Sequence, residues 1–234
     1  MPGLKTKTRT PIAAQNRIFV VDDHDIVRFG VGQLISREAD LVFCGAAESV
    51  AEALPLIIAA QPDLVITDLP LKKSNGLDLV KELKNRIPKM SMLVMSTYDE
   101  LIWGGVALRA GAAGYIMKKN SVNALIPAIR TILAGGIYVS QAVSDRILEG
   151  RFRNGYKRSA HLAAADRLSG RELQVLHLMG QLRPSREIAA ELSLRPKAVE
   201  YHKQNIKEKL HFRSSLELRQ FASQFHLVSF GGEL

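Results

Sequence analysis

Five side chains suited to phosphorus or metal chemistry recur at one kind of place in the chain. Asp22 and Asp23 follow the apolar run Ile18-Phe19-Val20-Val21, and Asp68 follows Leu64-Val65-Ile66-Thr67. Ser96 follows Met92-Leu93-Val94-Met95, and Lys118 follows Gly114-Tyr115-Ile116-Met117. Three carboxylates brought together repel one another and need a cation, and an all-oxygen donor set favours a hard ion such as Mg²⁺. A lysine beside them can pair with an anion, and a hydroxyl can hydrogen-bond one of its oxygens. The set fits an aspartate that takes up a phosphoryl group while a metal offsets charge on the transferring oxygens. Taken singly, each residue is as well explained as a helix cap or a solvated loop. Their place at the ends of four apolar runs carries the reading.

The elements that must position them alternate. Apolar runs at 18–21, 41–44, 64–67, 92–95 and 114–117 read as five strands. Segments with helical spacing lie between and after them: Ile26 to Ile35, Ala51 to Ala60, Leu77 to Arg86, Leu101 to Ala110 and Val122 to Ala134. Strands alternating with helices give a parallel sheet covered on both faces, wound by right-handed crossovers. In such a doubly wound α/β sheet the ligand crevice lies beyond the carboxyl ends of the strands, where these five residues fall.

Composition sets the outer limits. The 234 residues are 47% hydrophobic and 24% charged, enough for one or two packed domains and too apolar for a disordered chain. No run of about 18 apolar residues is present, so no transmembrane helix is expected, and the basic N-terminus lacks the apolar stretch of a secretory signal. A single cysteine, Cys44, excludes an intrachain disulfide and suits a reduced, cytoplasmic compartment. The net charge is +9, and residues from 139 onward carry 16 basic against 10 acidic side chains, +6 of that total. A local basic excess is the footprint of a polyanion binder. Residues 1–16 read as a flexible basic arm and 139–165 as a basic linker with a short helix at its start.

At these residues the chain resembles the receiver domain of two-component response regulators. The matching stretches are Val20-Val21-Asp22-Asp23-His24, Asp63 to Leu69, Asn75-Gly76, Val94 to Thr97 and Gly111 to Lys118. The resemblance spans about residues 17–135 and implies a flavodoxin-like fold for 17–138. It implies Asp68 as phosphoacceptor, Ser96 as switch hydroxyl, Lys118 as phosphate partner and Tyr115 as switch aromatic. Mg²⁺ would be held by Asp23, Asp68 and the backbone carbonyl of Pro70, with Asp22 completing the acidic pair. The loop after Asp68 departs from the pattern: Lys72 stands where proline is usual, Pro70 is unusual, and Lys119 follows Lys118 in place of a common proline.

Beyond Leu168 the pattern becomes all helix. Ser169-Gly170-Arg171-Glu172 has capping-box form, a short helix runs from about Arg186 to Glu191, and Pro196 opens a third that continues to Leu210. A fourth runs from about Ser215 to Phe225. On the third, Val199, Ile206 and Leu210 share one face. Lys197, Glu200, Tyr201, Gln204 and Glu208 lie opposite, flanked by Lys203 and Lys207. A short helix, a tight turn and a long helix with a polar outer face have helix-turn-helix geometry, although an ordinary four-helix domain would show the same periodicity. His202 falls nearer the buried side and reads as a packed histidine.

Leu168-Ser169-Gly170-Arg171-Glu172, Arg186-Glu187-Ile188-Ala189, Ala198 to His202 and Ile206 to Leu210 look like the LuxR-type DNA-binding domain, assigned to 166–234. The whole chain is therefore similar to NarL/FixJ-type response regulators: a five-stranded doubly wound receiver followed by a small all-α helix-turn-helix domain. That resemblance puts base-facing positions at Glu200, Tyr201 and Gln204, while Lys197, Lys203 and Lys207 suit phosphate contacts in the major groove. It implies a sensor histidine kinase as phosphodonor, a homodimer on inverted half-sites after activation, and no enzymatic turnover. Ala198, Leu182 and Pro184-Ser185 depart from the family's threonine, glycine and Ser-Asn. The rival readings are an orphan regulator free of phosphate control, a metal-dependent phosphohydrolase using Asp68, and a phosphotransfer module. The first would be favoured by a missing site residue and the second by an acid where Pro70 stands.

Overall fold

A computed structural model describes residues 15–71, 74–152 and 167–229. The proposed arm therefore lies almost wholly outside the described residues, as do Lys72 and most of the linker's second half. Ten helices and seven strands are present among the described residues, together with a single 3₁₀ turn at Lys118–Asn120.

Five strands form one parallel sheet: β1 (Asn16–Val21), β2 (Leu41–Ala47), β3 (Leu64–Thr67), β6 (Ser91–Ser96) and β7 (Gly114–Met117), in the order β2-β1-β3-β6-β7. The strand order reverses direction at β1, so the crevice between β1 and β3 is the topological switch point. Alternation along the strands divides the core. Phe19, Val21, Val65, Met92 and Val94 face α2 (Val50–Ala60), α3 (Gly76–Arg86) and α4 (Glu100–Ala110). Ile18, Val20, Leu64, Ile66, Leu93 and Met95 face α1 (Asp25–Ile35) and α5 (Ser121–Leu133). Burial on both faces explains why these strands read as continuous apolar runs.

Three features differ from the sequence reading. Strand β1 begins at Asn16, two residues before the expected start at Ile18. The short helix expected at the start of the linker runs further than expected, as α6 (Gln141–Phe152), with Val143 packed over Gly104 of α4. Among its described side chains Val143 is the buried anchor, at 2% exposure. A two-stranded antiparallel hairpin, β4 (Pro70–Leu71) with β5 (Ser74–Asn75), also follows Asp68. Two-residue strands have no periodicity to read.

The C-terminal unit packs α7 (Gly170–Gly180), α8 (Ser185–Glu191), α9 (Pro196–Leu210) and α10 (Ser215–Ser229) around Leu173, Leu176, Ile188, Val199, Ile206 and Phe225. Ser169 and Glu172 close the expected capping box, and Lys209 on α9 reaches back to Glu172 at 2.7 Å, tying α9 to the start of α7. Helix α7 ends in a Schellman motif: Leu182 N–H bonds the Met179 carbonyl, Arg183 N–H the Leu178 carbonyl, and Leu182 takes φ +61°.

Candidate functional site

Each acidic residue is aimed by the strand that ends at it. β1 and β3 run side by side with Val21 opposite Thr67, and Asp68 N–H bonds the Val21 carbonyl, so Asp22 and Asp68 emerge together. Asp22 is 0% and Asp68 1% exposed. One oxygen of Asp68 accepts from the Leu69 N–H at 2.6 Å, and the other accepts from Lys118 Nζ at 2.6 Å. The same ammonium lies 2.7 Å from Asp22 Oδ2. Strand β7 delivers Lys118 from beside β6, which brings Ser96, also 0% exposed. Four of the five residues singled out from the sequence therefore converge through direct contacts or shared burial. The fifth, Asp23, joins them through His24, whose Nδ1 lies 2.8 Å from its Oδ1. Donor atoms of Asp22, Asp23, His24 and Asp68 all lie within 4.8 Å of one another.

Electrostatics at Asp68 are a contest. Burial penalises the charged carboxylate and pushes its pKa up to about 6, against the pull of Lys118. The flanking acid Asp22 adds to the upward push. Asp22 Oδ2 and Asp23 Oδ1 are buried and meet only the Lys118 ammonium and the His24 ring, and the Ser96 hydroxyl is buried beside them. The cluster of carboxylate oxygens suits a hard divalent cation, and Pro70 lines the same cleft as Asp23 and His24.

Local packing also explains Asn75-Gly76. Asn75 caps α3 by accepting from Leu77 N–H, and Gly76 passes so close to Asp68 that a Cβ there would lie 1.8 Å from the Asp68 carbonyl oxygen. Only glycine fits. Tyr115 points inward, 1% exposed, and its hydroxyl donates to the Tyr98 carbonyl at 2.7 Å.

On α9, Val199 and Ile206 are fully buried and Lys197, Glu200, Tyr201, Gln204 and Glu208 are exposed, as the spacing requires. His202 is half-buried, and burial lowers its pKa. Two outward residues are already engaged within the protein: Glu200 accepts from Ser185 Oγ at 2.6 Å and from Lys203 at 3.0 Å, and Gln204 donates to Glu208 at 2.8 Å.

Two contacts between the receiver and the C-terminal unit carried no signal in the sequence. Asn75 donates from Nδ2 to Gln174 Oε1 at 3.0 Å, joining the receiver to α7, and both residues are 0% exposed. The Tyr98 ring packs against His177 with centroids 4.8 Å apart. These pairs are separated by 99 and 79 positions, and side chains of ordinary type give no hint of such partners.

A doubly wound sheet with an acidic switch point, joined to a helix-turn-helix unit, defines a receiver coupled to a DNA-binding output domain. Residues 18–130 match the response regulator receiver domain, and residues 166–222 match the bacterial regulatory proteins of the luxR family. The chain is 34% identical to the transcriptional regulatory protein UhpA of Escherichia coli, over 86% of this chain and 94% of that one. It is 30% identical to the oxygen regulatory protein NreC of Staphylococcus carnosus, over 92% and 100%. Among solved structures it is similar to RcsB from Salmonella enterica serovar Typhimurium bound to promoter P1flhDC, with TM-score 0.62, 25% identity and coverage of 90% and 99%. The chain belongs to the NarL/FixJ-type two-component response regulators. No helix among the described residues is long and apolar enough to cross a membrane.

Proposed function

We propose that this regulator takes a phosphoryl group on Asp68 and thereby controls its binding to promoter DNA. The observation that carries the reading is the buried Asp68 carboxylate held between the Leu69 N–H and Lys118, with the buried Ser96 hydroxyl beside it. An Asp68 oxygen attacks phosphorus, the bond from phosphorus to the donor breaks, and the donor leaves with its electron pair. Lys118 and Ser96 then bind oxygens of the new phosphoryl group. Asp22, Asp23, Asp68 and the Pro70 carbonyl would hold Mg²⁺, which supplies charge compensation on the transferring oxygens. The transfer occurs once per molecule and serves signalling, so the chain acts as a regulator and not as an enzyme.

Phosphorylation adds about −1.5 to −2 charges and three acceptor oxygens. Drawing Ser96 toward them shifts the end of β6, which runs directly into Thr97 and Tyr98. Tyr115 holds Tyr98 from below, and Tyr98 touches the output domain, so the two states differ in their interdomain contacts. The output domain of a cytoplasmic homodimer then reads inverted half-sites. Glu200, Tyr201 and Gln204 face bases in the major groove, and Lys197, Lys203 and Lys207 contact phosphates. RcsB, bound to promoter DNA in a solved structure, supports this class of target. The test is mobility shift on promoter fragments with and without acetyl phosphate and Mg²⁺. Phosphorylation should tighten binding by the native chain and leave Asp68→Ala unchanged. Equal binding by both under every condition would refute phosphate control.

A further inference from the structure

The interface between the two domains covers an unexpected surface. The DNA-reading face of α9 stays open, with Tyr201 65% exposed. What the output domain faces is the receiver surface at Asp23 and His24, whose donor atoms lie within 4.8 Å of those of Asp68. A cleft of about 640 Å³ runs between the domains. Asp23, His24 and Pro70 line its receiver wall, and Leu178, Gln181 and Glu191 line its output-domain wall. The covering is held in place by buried contacts: the Asn75–Gln174 hydrogen bond, the tilted ring contact of Tyr98 with His177, and Gly170 against Leu77.

We infer that the closed arrangement selects phosphodonors by size: it admits a small acyl phosphate to Asp68 and excludes a phosphohistidine carried on a folded protein. This rests on Asp68 being the phosphoacceptor. A volume of 640 Å³ corresponds to about twenty waters at ~30 Å³ each, ample for acetyl phosphate with its hydration. A folded domain of 100 residues has a radius of gyration of about 13 Å and cannot enter. Its phosphohistidine reaches Asp68 only after the output domain swings away. In both cases the Asp68 oxygen forms the new bond to phosphorus. With acetyl phosphate the acyl O–P bond breaks and acetate leaves. With phosphohistidine the N–P bond breaks and the imidazole takes up a proton.

The closing contacts are suited to opening. Gln174 Oε1 accepts from both Asn75 and Arg171, while its buried Nε2 finds no acceptor among the described residues. That unmet donor is hydrated when the domains part, which lowers the cost of separation. Donor exclusion and DNA reading thus lie on different faces of the output domain. Closure regulates who may phosphorylate the protein without hiding the helix that reads DNA.

The test uses the full chain and two variants. A Cβ at Gly170 would lie 2.4 Å from Leu77 Cδ1, so Gly170→Leu wedges the interface while suiting the first turn of α7. Gln174→Ala removes the interdomain hydrogen bond by a different route. Far-UV circular dichroism and a single melting transition establish that each is folded. Phosphorylation is followed by phosphate-affinity electrophoresis with acetyl phosphate and with a panel of autophosphorylated sensor-kinase cores at equal concentration. Acetyl phosphate should label native chain and variants at rates within about twofold. Protein donors should label Gly170→Leu at least tenfold faster than the native chain, with Gln174→Ala between. Equal gains with both donor classes, no gain with protein donors, or no transfer from any panel member would overturn the size selection. Failure of acetyl phosphate to label any form, or undiminished labelling of Asp68→Ala, would instead overturn Asp68 as phosphoacceptor.

Discussion

The hydroxyl of Tyr115 donates a 2.7 Å hydrogen bond to the backbone carbonyl of Tyr98, and both residues are buried. The bond fixes the loop that leaves β6 between the phosphoacceptor and the output domain. Tyr98 in turn lies 5.0 Å, centroid to centroid, from Trp103, the one tryptophan in the chain. Removing the hydroxyl leaves a buried carbonyl unpaired, which costs about 1–2 kcal/mol. Tyr115→Phe should lower the unfolding free energy by that amount, read as a lower urea midpoint at an unchanged m-value, and it should shift Trp103 fluorescence in the folded state. Native-like midpoint and emission would show that the bond holds nothing.

His177 makes stability depend on pH. Burial pulls its pKa down to about 4, with His226 and Arg183 adding to the effect, and its ring also meets Tyr98 and the Gln181 amide. A depressed histidine is neutral in the folded protein while the unfolded chain takes up a proton near pH 6.5. Its contribution to stability is therefore complete above pH 6.5 and is lost as pH falls toward 4. A difference of that size is worth on the order of 3 kcal/mol. His177→Phe keeps a ring in the same packing and should flatten the fall in melting temperature between pH 7 and 5. An equally steep fall in the variant would assign the dependence elsewhere.

Leu182 occupies the left-handed position that ends α7, at φ +61° and 81% exposed. A left-handed backbone costs a non-glycine residue about 1–2 kcal/mol, partly offset by the greater freedom that glycine loses on folding. Leu182→Gly should raise stability by about 0.5–1 kcal/mol, read as an upward shift of the thermal or urea midpoint. A destabilised variant would mean that the leucine side chain contributes packing its exposure does not suggest.

Salt titrations separate the two kinds of contact on α9. Lys197→Ala and Lys207→Ala should weaken binding alike on every DNA and reduce the slope of log K against log salt by about 1 each. Gln204→Ala should cost about 1–3 kcal/mol on the preferred promoter site and little on random DNA. The reverse pattern would exchange these roles. Lys203→Ala should behave differently from both, because Lys203 holds Glu200 at 3.0 Å and its loss frees that carboxylate.

The sequence by itself determined the strands, their helices and the chemical set. Apolar runs ending in Asp22, Asp68, Ser96 and Lys118 are local signals, and the crossover rules of a doubly wound sheet leave their ends only one common place to meet. The outward face of α9 was likewise legible, since a period of 3.6 separates Val199 and Ile206 from Glu200 and Gln204. Tertiary structure alone decided what lies over the site. The β4–β5 hairpin is too short to have a period, and the burial of Val143 depends on its meeting Gly104 of α4. Asn75 and Gln174 are ordinary polar residues until the chain places them 3.0 Å apart in the dark between two domains. Local pattern records which side of an element faces a core, because burial repeats with the element's own period. It does not record which distant surface arrives there, because a single contact has no period at all.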